Sequence, residues 1–263
     1  MISAAGRTAV QPVDLVAVAH GTADPGGIRV VHELVRLMAR ARPEVAVSLG
    51  FVDLLTPALP SLVRRITADT DEAVAVPLLL SAGYHVYVDI AAEANRYPNQ
   101  LHTAPALGPD PALADILTDR LAACFPDHYP AAAELPVDQV VLAAAGSSDP
   151  RALRDCEETA GLLSARIARP VTVGYLSGAG ERLQSVLART KSRLAVATYL
   201  LAPGFFADRT RRLAGPHPVS APLGADPRLA ALALHRYDQA LANRQLPQAP
   251  GRLENLSRFE YAQ

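Results

Sequence analysis

The chain lacks several features that mark common functional classes. Its 263 residues include two cysteines without a CxxC pair, which excludes a zinc knuckle or a disulfide framework. No apolar run approaches the roughly 20 residues that span a bilayer, so we expect no membrane segment. The net charge of −1 gives no global attraction for nucleic acid. No Gly-x-x-x-x-Gly-Lys-Ser/Thr motif occurs, so we expect no bound nucleotide.

What the chain does have is the composition of a folded protein. Half of its residues are hydrophobic and 19% are charged, and its length is sufficient for two domains with separate cores. The first residues do not combine a charged segment with an apolar core as a signal peptide does. We therefore expect a cytoplasmic protein.

The most informative feature is an internal repeat. Three pairs of segments match, at offsets of 125, 121 and 116 residues: Leu15–Pro25 with Val140–Pro150, Leu78–His85 with Tyr199–Phe206, and Leu107–Pro111 with Leu223–Pro227. The glycines are retained, but Ala145 replaces His20 and Phe206 replaces His85 in the second copy. The joint loss of two histidines from one copy predicts that they act as a pair in the other.

Each half alternates short apolar runs with amphipathic segments, which predicts parallel sheets with right-handed crossovers. Strands are predicted at 13–19, 46–52, 73–80 and 101–104, and at 139–144, 171–175, 194–201 and 218–221. Helices are predicted at 28–40, 57–66, 90–95 and 111–124, and at 150–167, 181–188, 206–213 and 227–243. Asp24-Pro25 before the first helix resembles an N-cap with proline in the first turn, and Asp110 precedes the fourth helix as a cap. We predict an α/β protein of two similar tandem domains, 1–126 and 137–243, each a small doubly wound sheet of about four strands, with a tail at 244–263.

The two histidines follow strands that we expect to be neighbours. His20 comes directly after the first strand and His85 comes after the third. In a sheet of order 2-1-3-4, the carboxyl ends of these strands form the crevice where such folds bind ligands. Neutral imidazole is both a metal ligand and a base near physiological pH. A hydrogen-bonded loop residue is the simpler reading for either histidine alone, whereas their joint loss favours a metal-binding pair.

The motifs resemble the sirohydrochlorin chelatase family, the class II chelatases of cobalamin and sirohaem synthesis. The matching segments are Ala19–Gly21, Phe51–Ala58, Pro77–Ile90 and the closing Leu107–Pro111. The resemblance covers most of residues 13–124 and continues more weakly to about residue 243. This chain departs from the family pattern at Ala58, where serine is usual, and at Ala91, where proline is common.

The resemblance implies a chelatase-like fold and an activity. His20 and His85 correspond to the metal-binding and catalytic histidines of the family, and the long chain resembles its homodimer fused into one monomer with pseudo-dimeric halves. The implied reaction inserts a divalent metal into a sirohydrochlorin-like tetrapyrrole without a nucleotide. Fe²⁺ is favoured slightly over Co²⁺. Nothing in the sequence fixes the metal, because two imidazoles accept several divalent ions.

Other residues near the histidines are candidates for binding the substrate. They are Gly21, Thr22, Gly83, Tyr84 and Asp89, with Arg29 and Arg96 as possible partners of substrate carboxylates. Asp89 lies four residues after His85 and would share its face on a helix, where it would orient the imidazole, bind metal or cap the helix.

Two other functional classes remain open at this point. A carrier of metal or tetrapyrrole would use the same cleft without turnover. A phosphate-ester hydrolase with His20 as nucleophile would need a cluster of arginines at the strand ends, and none follows Gly21 within its loop.

Overall fold

A computed structural model describes residues 13–70, 72–81, 84–126 and 135–244, and the side chains of these residues other than 84–87. The first half contains β1 (Asp14–Ala19), α1 (Pro25–Ala41), β2 (Val47–Phe51), α2 (Leu59–Asp69), β3 (Ala73–Pro77), α3 (Tyr84–Arg96), β4 (Leu101–Thr103) and α4 (Pro111–Ala122). The second half contains β5 (Gln139–Ala144), α5 (Pro150–Ile167), β6 (Val171–Tyr175), α6 (Leu183–Arg189), β7 (Leu194–Tyr199), α7 (Phe205–Ala214) and α8 (Pro227–Arg244). Among these helices none is long and apolar enough to cross a bilayer.

The predicted α/β architecture is confirmed. All strand pairs are parallel, in the orders β2-β1-β3-β4 and β6-β5-β7. The central strands β1 and β5 are buried over five of their six residues because helices cover both faces of each sheet. Residues 127–134, between the two predicted domains, lie outside the described residues, as does the tail after Arg244.

The second sheet has three strands where a fourth was predicted at 218–221. Only one bridge forms there, between Val196 and Val219. The hydroxyl oxygen of Ser220 accepts a hydrogen bond from the Thr198 N–H at 2.9 Å, and the Thr198 hydroxyl donates to the Ser220 carbonyl at 2.7 Å. Hydrogen bonds to side-chain hydroxyls thus replace the next backbone hydrogen bonds between the two segments, and the strand pairing ends there.

Three helices begin before the first residue that the periodicity predicted, namely α1 at Pro25, α3 at Tyr84 and α7 at Phe205. Helix α1 begins at Pro25, because the Asp24 carboxylate caps it by accepting from the Gly27 N–H at 2.8 Å. The backbone of α3 is helical from Tyr84 and not from residue 90. Valines at 86 and 88 are weak helix formers, which hid the first turns of α3 in the sequence.

The last helix of each repeat packs on the sheet of the other repeat. Helix α4 contacts α5 and β7, whereas α8 contacts α1, β3 and β4. The same pairing, related by the repeat, therefore occurs twice. The four helices α1, α4, α5 and α8 lie between the sheets in one hydrophobic core shared by both halves. The outer face of each sheet has a separate hydrophobic cluster, which is covered by α2 and α3 in the first half and by α6 and α7 in the second. The two halves exchange helices as subunits of a domain-swapped dimer do.

Two arginines at equivalent repeat positions fasten the exchanged helices. Arg120 on α4 donates to the Leu223 carbonyl at 2.8 Å and to the Asp226 carboxylate at 3.4 Å. Arg236 on α8, 116 residues later, donates to the Leu107 carbonyl at 2.9 Å and to the Asp110 carboxylate at 3.0 Å. We call these contacts the arginine clasps. The repeated Leu-Gly-x-Asp-Pro segment is thus the receptor for an arginine from the opposite half.

Replacement of Arg236 by alanine should lower the free energy of unfolding by about 2–4 kcal/mol, because a largely buried carboxylate and two carbonyls lose their donor. Urea unfolding measures the loss. Arg211→Ala is the matched control: Arg211 forms an exposed ion pair with Asp208, for which a change below about 0.5 kcal/mol is expected. Equal losses in the two variants would contradict the role of the clasp.

Acid should weaken the clasp that fastens α4 to Asp226. Hydrogen bonds from Arg228, with added charge from Arg120, hold the pKa of Asp226 below its ordinary 3.8. A depressed carboxyl pKa stabilises the folded state above the ordinary value, and this stabilisation is lost as the pH falls through the folded pKa. Between pH 7 and about pH 3, the urea midpoint should therefore fall more in the wild type than in Asp226→Asn. Parallel pH profiles for the two proteins would disprove the linkage.

Candidate functional site

A cleft of about 620 Å³ lies between the two halves, at the carboxyl ends of β1, β3, β5 and β7. Loops of both halves line it, with Ala19–Ala23 and Leu78–Ser81 on one side and Ala144–Ser147 and Leu200–Ala207 on the other. Its volume is in the range of small-molecule and cofactor sites. The repeat thus produces one shared cleft at the edge predicted to carry the histidines.

His20 lies in this cleft as the residue that follows β1. Its side chain is exposed, and its carbonyl accepts a hydrogen bond from the Asp53 N–H at 2.9 Å. Gly21 has a φ of 107°, and a Cβ at this position would lie 2.0 Å from the Asp53 carbonyl oxygen. Only glycine permits both the turn and the close approach, so the Ala-His-Gly sequence fixes the imidazole at the strand end.

Thr22 was predicted to bind the substrate, and it lines the cleft beside His20. Its hydroxyl oxygen accepts from the Asp24 N–H at 3.1 Å, and Ser147 accepts from the Asp149 N–H at 3.0 Å in the second half. The turn is therefore built in the same way in both repeats. Thr22 holds the segment that joins His20 to the N-terminus of α1.

The loop before α7 crosses from the second half to the N-terminus of α1. A Cβ on Gly27 would lie 2.9 Å from the Pro203 carbonyl oxygen and 2.8 Å from the Thr22 methyl group. The Gly26–Gly27 pair accommodates this crossing. The sequence analysis did not identify this packing role of the pair.

The wall opposite His20 carries the residues that replaced the histidines. Ala145 and Phe206 both line the cleft, and the Phe206 ring lies 5.6 Å from that of Phe205. Phe205 is 68% exposed. The second copy therefore contributes an apolar wall to the cleft that contains His20.

The structure describes only part of the segment around His85. Gly83 lies outside the described residues, as do the side chains of Tyr84 and His85. The backbone places positions 85 and 89 on α3, four residues and about one turn apart. Asp89 is exposed. By position these two residues share a helix face, as the sequence predicted for a helix.

The described lining of the cleft contains no Asp, Glu, Lys or Arg side chain. Cys156 lies in it, but burial raises the pKa of its thiol to about 12. In the metal-free protein this side chain is therefore a neutral thiol at neutral pH. In the part of the chain that the structure describes, no group of three or more His, Cys, Asp or Glu residues is arranged to hold a metal ion.

Neither of the arginines considered for carboxylate binding belongs to this lining. Arg29 is exposed on α1. Arg96, at the end of α3, forms an ion pair at 2.7 Å with Glu93. Carboxylates of a ligand in the cleft would therefore meet solvent or groups outside the described lining.

Leu54 is a cleft residue that the sequence analysis did not identify. It has a φ of 64°, its side chain is 67% exposed, and its N–H donates to its neighbour Asp53 at 2.7 Å. The left-handed conformation costs a residue with a side chain about 1–2 kcal/mol. The only signal in the sequence is the repeat itself, which aligns Leu54 with Gly178.

A comparison with protein families identifies this arrangement. The family model described as CbiX matches residues 14–124 and again residues 139–240, and so covers both repeats. The chain belongs to the CbiX family. This confirms the family predicted from the motifs, including its recurrence in the second half.

Solved structures of this family share the fold. SirB from Bacillus subtilis with Fe³⁺ superimposes with a TM-score of 0.70 at 21% identity, over 88% of this chain and 96% of that one. The sirohydrochlorin chelatase SirB from Bacillus subtilis subspecies spizizenii in complex with cobalt gives 0.66 at 21% identity, over 88% and 95%. CbiX, described as the terminal enzyme of sirohaem biosynthesis in denitrifying bacteria, gives 0.65 at 20% identity, over 86% and 99%. The search of curated proteins found no match.

Gly21→Ala should destabilise the protein by about 2–4 kcal/mol, because it combines a positive φ with a collision against backbone. Gly161→Ala is the control, since a Cβ there meets nothing within 4 Å on helix α5. That variant should gain up to about 1 kcal/mol. Thermal unfolding separates the two, and a tolerated alanine at position 21 would contradict the close approach.

Proposed function

We propose that this protein is a metal chelatase that inserts a divalent metal into a sirohydrochlorin-like tetrapyrrole, with Fe²⁺ favoured and Co²⁺ as the alternative. The observation that carries the proposal is the position of His20 in a cleft of a CbiX-family fold. The similar solved structures include SirB with Fe³⁺, a sirohydrochlorin chelatase with cobalt and an enzyme of sirohaem biosynthesis, which supports a chelatase for iron or cobalt.

In this mechanism His20 and His85 present the metal to one face of the macrocycle. Phe206, the repeat counterpart of His85, lines the cleft, and this supports a position near the cleft for His85. The metal exchanges its solvation and imidazole ligands for the macrocycle nitrogens. Two pyrrole protons must leave, and a neutral imidazole accepts a proton near physiological pH.

The remaining cleft residues shape the site. Gly21 and Thr22 hold the His20 turn, and Asp89 is proposed to orient His85 across one turn of α3. We assign Gly83 and Tyr84 to the same loop and substrate surface. Both walls come from one chain, so a monomer contains a complete cleft.

The apolar character of the lining favours a macrocycle over a phosphate ester. A phosphate needs cationic donors, and the described lining supplies no arginine or lysine. A flat conjugated ring can instead bury its faces in the cleft while its peripheral carboxylates remain hydrated.

His20→Ala and His85→Ala should each reduce the rate of metal insertion by about 10²-fold or more, because ligation and proton acceptance are both lost. The assay is anaerobic insertion of Fe²⁺ or Co²⁺ into sirohydrochlorin, followed by absorbance. His235→Ala is the control, since this exposed histidine lies on α8 beside Gln239 and outside the cleft.

The metal that is inserted faster would identify the preferred substrate. A wild-type rate equal to that without enzyme would refute the chelatase proposal. Stoichiometric tetrapyrrole binding without turnover would identify a carrier instead.

A further inference from the structure

The turn that contains Leu54 has an equivalent in the second half of the protein. Phe51 and Tyr175, 124 residues apart, end β2 and β6, and each forms a bridge to the residue before the next helix. The same offset places Leu54 on Gly178. Their φ angles are 64° and 63°, so both turns have a residue in the left-handed conformation at the same position.

The second half forms this turn with the residue best suited to it. Glycine enters the left-handed region without steric cost, whereas leucine does not. The turn itself therefore needs no side chain. A leucine is present only in the half that also carries His20.

The side chain of Leu54 is also exposed, and it lies in the cleft. The large hydrophobic side chains exposed in the described part of the chain are those of Leu54, Val88 and Phe205. Leu54 and Phe205 both line the cleft, and they come from opposite halves. The left-handed backbone opposes folding, and a side chain that stays exposed gains little burial to offset this cost.

We propose that Leu54 is a substrate-binding residue whose side chain packs against the conjugated ring of the tetrapyrrole, with Phe205 on the other side of the cleft. This inference rests on the proposed function. The described lining has no charged side chain, so it suits the uncharged ring and not the peripheral carboxylates. Contact with the ring would bury the leucine and give the strained turn a function.

Leu54→Gly is the decisive variant, because it removes the side chain and relieves the backbone together. Its Tm should equal or exceed that of the wild type, while its affinity for metal-free sirohydrochlorin should fall about tenfold. Leu54→Ala should lose similar affinity but retain the strain. Titration of the free tetrapyrrole by absorbance measures binding independently of insertion.

Ala168→Gly is the matched control for the strain. Ala168 ends α5 with a φ of 49° and lies outside the cleft lining. This variant should also raise the Tm but leave the affinity unchanged. The pair separates relief of backbone strain from loss of a ligand contact.

The outcomes distinguish this inference from the function on which it rests. If wild type and Leu54→Gly bind sirohydrochlorin equally, Leu54 is not a binding residue, and the chelatase proposal stands on its own insertion assay. If wild type neither binds nor metallates sirohydrochlorin, both proposals fail. A large loss of Tm in Leu54→Gly would instead show that the leucine has a structural role.

Discussion

The exchange of helices α4 and α8 between the two sheets is the constraint on which the rest of the structure depends. Each helix closes the core of the other half, and an arginine clasp attaches it to the opposite Leu-Gly-x-Asp-Pro segment. The clasps bring the carboxyl ends of both sheets to one cleft. The cleft that contains His20 thus depends on contacts between residues more than 100 positions apart along the chain, such as Arg236 and Leu107.

The cleft combines two copies of one loop system that carry different chemistry. The same turn, capped in the same way, presents His20 in the first half and Ala145 in the second. The difference extends beyond the histidines, since the second half has glycine at the position of the strained Leu54. His20 and the strained Leu54 therefore both belong to one wall, whereas the second half has Ala145 and Gly178 at the equivalent positions. The two walls of the cleft thus differ although the loops that form them are repeats of each other.

Much of the fold was predictable because its signals are local. Continuous apolar runs identified the parallel strands, and the Asp-Pro pairs marked the starts of several helices. The exchange of α4 and α8 was not predictable, since periodicity shows that a helix has an apolar face but not which sheet it meets. The repeat identified His20 as a candidate, and it identified Ala145 and Phe206 as the residues that replace the two histidines. It could not reveal the φ of Leu54, because the cost of a left-handed leucine appears only in the folded backbone.

The position of α8 has a consequence for how the protein is made on the ribosome. The first sheet needs this helix to cover β3 and β4, and α8 extends to Arg244. During synthesis the part of the sheet face over β3 and β4 stays uncovered until α8 has emerged. Such long sequence separation slows folding and exposes apolar surface in the meantime. The apolar surface over β3 and β4 is therefore buried only after α8 has been synthesised.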